Sequence, residues 1–250
     1  MVLAAGLGTR LRPLTELLPK ALCPVDNVPL VDLAIERVRV VAGGGVAVNV
    51  HHHRQRMEQH LGHLDVHVSV EEGEPLGTAG ALGQLRGWID GRPTIVHNAD
   101  SWHDADLRLL LTDGWDGERI RLLVVAARPG TDDFDGRWTF AGVSLLPWSD
   151  VEPLRAEPSG LWEVSWRVAH AAGRVELVPY AGPWFDTGTP STYLAANLAA
   201  NHGESVIAPD AVVEGEVDRC VVWSGARVEA GEALFEQIRA PGPVTVDAGR

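Results

Sequence analysis

The chain alternates two hydrophobic rhythms. Short apolar runs stand at residues 2–5, 46–50, 66–70, 94–97, 120–127 and 139–146, and runs of this length bounded by turn residues predict buried strands. Between them lie stretches of helical period. After Pro29, the residues Leu30, Leu33, Ala34, Val38 and Val41 share one face, Asp32, Glu36, Arg37 and Arg39 fall off it, and Gly43-Gly44-Gly45 ends the run. Helices are also expected over 54–62, 79–85 and 190–201. Repeated strand–helix units predict an α/β protein whose sheet is covered on both faces. Ligands of such sheets sit at the carboxyl ends of the strands. The first apolar run ends at Gly6, so Gly6-Leu7-Gly8-Thr9-Arg10 is placed at that edge.

This glycine turn is the first sign of chemistry. Glycines let backbone N–H groups approach an anion closely. Arg10 offers a planar fork for phosphate oxygens, and Lys20, after Pro19, a mobile point charge. Together they suit a polyphosphate. Two commoner glycine loops do not fit. A Walker A loop closes on Gly-Lys-Ser/Thr, and Gly8-Thr9-Arg10 does not; the dinucleotide fingerprint needs a small residue three after Gly8, where Leu11 stands. The whole string LAAGLGTRLRPLTELLPK, residues 3–20, resembles the signature of the sugar-1-phosphate nucleotidyltransferases (nucleotide-sugar pyrophosphorylases), and most of all their mannose-1-phosphate guanylyltransferase-like members. That resemblance implies a Rossmann-like nucleotidyltransferase fold with a mixed, mostly parallel central sheet. It implies that Leu3, Ala5, Gly6, Gly8 and Thr9 bind the nucleotide, with Arg10 and Lys20 as catalytic cations on the phosphates.

Three further stretches extend the resemblance. In Glu71-Glu72-Gly73-Glu74-Pro75-Leu76-Gly77-Thr78-Ala79-Gly80, the residues themselves suggest a loop in which Gly77 and Gly80 permit close backbone approach and Thr78 caps a helix. The family pattern sets P-L-G-T-A-G against the nucleobase, which implicates Glu72, Gly77 and Thr78. E-x-x-P-L-G-T-A-G resembles the guanylyl branch in particular. Guanine offers N1–H and N2–H₂ donors that one carboxylate such as Glu72 accepts together, whereas uracil and thymine offer one ring donor. The run 95–97 exits into Asn98-Ala99-Asp100, and the resemblance implies a magnesium carboxylate at Asp100, with Ala99 where relatives typically carry Gly or Ser. Asp104 and Asp106 read as solvated helix-start acids. Trp184-Phe185-Asp186-Thr187-Gly188-Thr189-Pro190 resembles the family's W-x-D-[IV]-G-T-P, which makes Asp186 the second ligand. Hard oxygens from two carboxylates, with phosphates completing the shell, describe a nucleotide-bound Mg²⁺. Phe140-Ala141-Gly142-Val143 resembles F-x-G-[IV], with Gly142 near the sugar, and Glu163 stands where many members grip sugar hydroxyls. One departure is plain. Many members carry Glu-Lys-Pro before F-x-G, with the lysine on the sugar phosphate; residues 128–139, RPGTDDFDGRWT, contain no lysine, and Arg128 or Arg137 is the available substitute.

The reaction implied joins a nucleoside triphosphate, leaning to GTP, and a sugar 1-phosphate resembling mannose 1-phosphate. The missing lysine motivates one alternative, a non-catalytic nucleotide-sugar sensor. Cytidylyl transfer to a phospho-alcohol is another.

Composition narrows the setting. The 250 residues are 45% hydrophobic and 22% charged, as for a globular domain with an appendage, and the formal net charge is −13. So acidic a chain suits neither nucleic acid nor an anionic membrane, and holding a triphosphate calls for a local basic site and a divalent cation. Cys23 and Cys220 match no metal spacing and read as reduced thiols of a cytoplasmic protein. No apolar run approaches the ~18 residues of a membrane span. Met1 abuts the first strand without a signal peptide, and an upstream start is left open. His51-His52-His53 reads as a polar strand end and helix start, since neighbouring residues on regular structure cannot all face one ion.

From about Ser205 the texture changes. Ile207 and Val213, then Val222, Val228 and Leu234, recur every sixth position with small residues between. This resembles the hexapeptide repeat of a left-handed parallel β-helix, one or two coils long. The expected organisation is a catalytic domain over 1–203, a β-helix-like segment over 204–240 that serves as an end-cap or homo-oligomer contact, and a loose end over 241–250.

Overall fold

The computed structural model describes every residue except 113, 129, 132 and 250. Among the described residues, the six apolar runs and one further strand, Val175–Pro179, build a seven-stranded sheet in the order Val175–Pro179, Ile120–Ala126, Trp138–Leu146, Thr94–Asn98, Val2–Leu3, Ala47–Val50, His67–Val70. Trp138–Leu146 runs antiparallel to both its neighbours and every other pair is parallel, so the sheet is mixed and mostly parallel, as expected. Val2 lies between Val48 and His97. The helix Gly77–Ile89 presents Ala79, Leu82, Leu85 and Ile89 to a core that also holds Val96, Ile120, Leu122, Val124 and Leu146. That spacing is the apolar stripe of an amphipathic helix.

The chain divides into two units. The first, Met1–Gly6, Ala34–Ala99 and Asp104–Gly182, contains the sheet. The second gathers Leu7–Leu33, Asp100–His103 and Pro183–Arg250. Its core packs Leu11, Leu14 and Leu30 with Tyr193, Trp223 and Ile238. Tyr193 is wholly buried; its hydroxyl accepts from Trp223 Nε1 at 3.1 Å and donates to the Pro24 carbonyl, which satisfies the polar tip of a large apolar side chain. The helix Pro190–Ala200 starts on a capping box between Thr189 and Thr192 with proline in its first turn.

The tail is a set of parallel ladders within the second unit. Val206 meets Val221, Val212 meets Arg227, Glu216 meets Ala233, and Val221 meets Ile238. Val222, Val228 and Leu234 of the sixfold pattern are buried together with Cys220 and Ala226, whereas Ile207, on an edge strand, is exposed. The end expected to be loose instead carries Thr245–Asp247, paired antiparallel with Gln237–Arg239; Arg250 lies outside the described residues.

Other differences have local causes. The first strand covers Val2–Leu3 alone. The helix expected from 79 starts at Gly77, and its N-cap position is Leu76, so Thr78 is not the cap. Val175–Pro179 is an edge strand whose half-buried Glu176 pairs with the buried Arg121 at 2.9 Å, and a charge inside so short a stretch hides it from a search for apolar runs. His53 precedes the helix Arg54–Leu61 in a left-handed conformation, φ 51°.

Candidate active site

In the second unit the site grows from a short antiparallel ribbon. Ser101–His103 pairs with Trp184–Asp186, and Asp186 lies opposite Ser101. Asp100 immediately precedes one strand and Asp186 ends the other, so the ribbon brings together two acids 86 positions apart in sequence. Thr187 secures the arrangement. It is fully buried, and both its N–H, at 3.0 Å, and its hydroxyl, at 2.9 Å, donate to the Asp100 carbonyl.

Two cations meet these carboxylates. Lys20 has a side chain only 8% exposed, with Nζ 2.6 Å from Asp100 Oδ2 and 3.7 Å from Asp186 Oδ1. Arg10 Nη2 lies 3.2 Å from Asp186 Oδ2 on a largely exposed side chain. Gly8 leads into this cluster in a left-handed conformation, φ 64°, at the start of the 3₁₀ turn Thr9–Leu11. The buried Thr15 hydroxyl donates to the Gly8 carbonyl at 2.9 Å, and a Cβ on Gly8 would lie 2.8 Å from Thr15 Cγ2 and 3.0 Å from Lys20 Cβ. Only glycine meets both the backbone and the space there. Gly188 makes similar room: a Cβ on it would lie 2.5 Å from Arg10 Nη2 and 2.9 Å from Asp186 Oδ1.

The donor set suits a hard divalent ion. Asp100 and Asp186 both lie within ion-pair distance of one ammonium, with side chains about 40% exposed and so open to an incoming ligand. Among the described residues no group of three or more His, Cys, Asp or Glu side chains could hold a metal. Two carboxylates would supply only part of a shell; on nucleotides, phosphate oxygens and water commonly complete one around Mg²⁺.

The remaining candidates belong to the first unit. The Leu3 carbonyl accepts from Ala99 N–H at 2.9 Å; Ala5 is half-buried and Gly6 exposed with open space around its Cα. Glu72 projects into solvent, 84% exposed, 3.6 Å from Arg54 Nη1. Gly77 takes φ +69° against the Ser159 carbonyl, and the Thr78 hydroxyl accepts from Leu161 N–H at 2.9 Å. Gly142, φ +83°, sits where the ladder between Ile120–Ala126 and Trp138–Leu146 shifts register. Glu163 is exposed on the π-helical turn Trp162–Trp166, its carboxylate folded back over Gly160. Arg128 and Arg137 are both exposed. Asp106 caps the turn Leu107–Leu111 as a solvated acid, whereas Asp104 accepts from the Tyr180 hydroxyl.

Sequence reasoning favours Glu72 and misses Glu71. Glu71 is the buried one, and its carboxylate accepts from Asn49 Nδ2 at 2.6 Å and Leu76 N–H at 2.8 Å, while Asn49 Oδ1 accepts from Ala4 N–H at 2.8 Å. This polar chain ties together the carboxyl ends of three neighbouring strands and fixes the backbone that leads to Gly6. The available signal was Asn49 inside an otherwise apolar run, since a buried amide needs a partner. Thr187 and Gly188 lie in the same stretch as Asp186, and only the fold shows what they do, through the Asp100 carbonyl and the room left for Arg10.

Burial pushes the Cys23 thiol up to about 12 against the opposing pull of Lys20, and it also raises the Cys220 thiol. Neither suits a nucleophile.

Residues 1–130 match the family described as "Nucleotidyl transferase". The chain is 31% identical over 227 residues to N-acetylmuramate alpha-1-phosphate uridylyltransferase of Caulobacter vibrioides, an alignment covering 78% of this chain and 94% of that protein. It is 25% identical to mannose-1-phosphate guanylyltransferase 1 of Arabidopsis thaliana over 78% of this chain, and it spans only 62% of that longer protein. A solved structure from Thermus thermophilus, described as a mannose-1-phosphate geranyltransferase, shares the fold at a TM-score of 0.71 and 17% identity, over 98% of this chain and 92% of that one.

Proposed function

The chain belongs to the nucleotidyl transferase family, as a sugar-1-phosphate nucleotidyltransferase, and on that premise we propose that Arg10 and Lys20 grip the triphosphate while Asp100 and Asp186 hold Mg²⁺. The observation that carries the proposal is Lys20 Nζ standing between the two carboxylates, 2.6 Å from one and 3.7 Å from the other. In the reaction, an oxygen of the sugar phosphate bonds to the α-phosphorus while the bond from that phosphorus to the departing pyrophosphate breaks in line. No protein nucleophile is required, so the residues act by positioning and by opposing charge. Enzymes of this family generally use a divalent metal. When bound, held by Asp100 and Asp186, the ion would neutralise charge on the phosphates. Lys20 and Arg10 exchange carboxylate partners for phosphate oxygens as the nucleotide enters, which keeps a buried ammonium paired throughout. Leu3, Ala5, Gly6, Gly8 and Thr9 line the nucleotide with backbone, Gly77 and Thr78 bring their backbone to the base, and Gly142 and Glu163 contact the sugar. Arg128 or Arg137 takes the part of the missing lysine.

We assign GTP and a mannose-1-phosphate-like sugar as substrates. The Glu72 carboxylate is exposed beside a long ion pair to Arg54, and its two oxygens match guanine's two donors. The guanylyl name of the plant relative points the same way. The 31% identity to a uridylyltransferase supports a second reading, UTP with an amino-sugar phosphate. We also assign the enzyme to the cytoplasm, in keeping with two buried free thiols, and the tail to self-association, supported by exposed Ile207, Val212 and Phe235. Among the described residues no helix is long and apolar enough to cross a membrane.

The test is Mg²⁺-dependent pyrophosphate release over a panel of GTP, UTP, CTP, ATP and dTTP with mannose 1-phosphate, N-acetylmuramate 1-phosphate and phosphocholine. Fastest release with GTP and mannose 1-phosphate is expected. Preference for UTP overturns the base assignment, and preference for CTP with phosphocholine overturns the acceptor. Nucleotide-sugar binding without release of pyrophosphate identifies a sensor instead.

A further inference from the structure

The helix Gly77–Ile89 carries Gly77, Gly80 and Gly83 on one face, bare of side chains, and the backbone of residues 155–161 lies on it. A Cβ on Gly77 would stand 2.6 Å from the Ser159 carbonyl oxygen, and one on Gly80 or Gly83 would overlap the backbone of Glu157 or Arg155. The bare face explains why the segment fits. Hydrogen bonds set where it stops: Ser159 N–H donates to the Leu76 carbonyl and Ala79 N–H to the Ser159 carbonyl, each at 3.0 Å, and Leu161 N–H donates to Thr78 Oγ1 at 2.9 Å.

The third bond differs from the other two because a side chain makes it. It also lands on the residue that opens the helical turn bearing Glu163. An N–H in the first turn of a helix has no partner within the helix, and Leu161 is buried, 3% exposed. Without the hydroxyl that donor loses its partner, and the start of the turn is free to shift.

We propose that Thr78 is a positioning residue for the sugar phosphate. Its hydroxyl fixes the start of the turn at Leu161 and thereby the place of Glu163, so that the Leu76–Thr78 turn and the sugar-side turn act as one piece. The proposal rests on the reading of Glu163 as a sugar contact. It assigns the Thr78 hydroxyl to selection of the sugar, through another residue, and leaves only the backbone of Thr78 for the nucleotide.

The experiment compares Thr78→Val, Thr78→Ser and the unchanged full-length protein by amide hydrogen exchange and by steady-state kinetics. In Thr78→Val the Leu161 amide is expected to exchange about tenfold faster, and KM for the sugar phosphate to rise about tenfold, as for loss of one buried hydrogen bond. The larger rise is expected in KM for the sugar phosphate and the smaller in KM for the nucleotide, because the clip acts on Glu163 and the backbone of Thr78 is kept. Thr78→Ser is expected to restore both. Unchanged exchange at Leu161 in Thr78→Val, or a rise in nucleotide KM in its place, overturns the proposal. Glu163→Gln separates the two readings. If it leaves KM for the sugar phosphate unchanged, the sugar reading falls and with it the role in selection, while faster exchange at Leu161 still establishes the clip.

Discussion

Two glycine-bearing stretches in this chain look alike on paper and serve opposite ends. At Gly8, the room that a Cβ would fill is taken by Thr15 and by Lys20, whose ammonium stands between two carboxylates. At Gly77, Gly80 and Gly83 the room is taken by main chain, the segment 155–159. Glycine in a motif therefore marks close approach without saying of what. Around Gly8 the approach assembles charge; along the helix Gly77–Ile89 it docks a strap.

Breaking each region should give a different signature, and the largest effect belongs to the charged one. Asp186→Asn is expected to lower turnover about 10²–10³-fold, as removal of a preorganised electrostatic group does, with little change in thermal stability because the side chain is 43% exposed. Pyrophosphate release and a thermal melt of the same preparation check both halves. Along the strap the order reverses. Gly80→Ala drives a methyl group into the Glu157 carbonyl and is expected to cost about 1–3 kcal/mol by overpacking, read as a lower Tm. Gly87→Ala on the same helix has nothing within 4 Å and is expected to stabilise by about 0.5–1 kcal/mol. If Gly80→Ala and Gly87→Ala melt alike, the strap does not pack as described.

The core around Lys20 should also carry a pH signature. Burial raises the Cys23 thiol to about 12 and lifts the buried Tyr193 hydroxyl well above its ordinary value. In the unfolded chain a thiol loses its proton near ~8.5, so above that pH the folded protein binds more protons than the unfolded one and stability falls as pH rises. The Cys23 contribution is about 1.4 kcal/mol per pH unit at most, fully present below ~8.5 and lost on the way to about 12. Urea melts from pH 7 to pH 10 should show the loss, and Cys23→Ala should remove part of it. The smallest effect is expected at Glu72, where Glu72→Gln should raise KM for GTP by less than about tenfold and leave KM for UTP nearly unchanged.

The charged residues around Lys20 and the strands of the sheet were both legible in the sequence. Arg10, Lys20, Asp100 and Asp186 sit in strings whose local chemistry is distinctive, and the sheet strands with continuous apolar runs stood out for the same reason. What escaped was what depends on partners distant in sequence. Thr187 gains its role from the Asp100 carbonyl, Thr78 from Leu161 N–H, and Glu71 from Asn49; none of these pairings leaves a periodic trace. Three-residue strands such as Trp184–Asp186 are too short to show a period, and the loose end expected after Pro241 overlooked a strand that forms only against Gln237–Arg239.

The central claim is that the cations and carboxylates around Lys20 exist to hold a metal-bound nucleotide. Its most direct test is the rate of Mg²⁺-dependent pyrophosphate release by Lys20→Ala at saturating substrates. A fall of about 10²–10³-fold in a variant that remains folded is the predicted result; turnover near that of the unchanged protein would contradict the account.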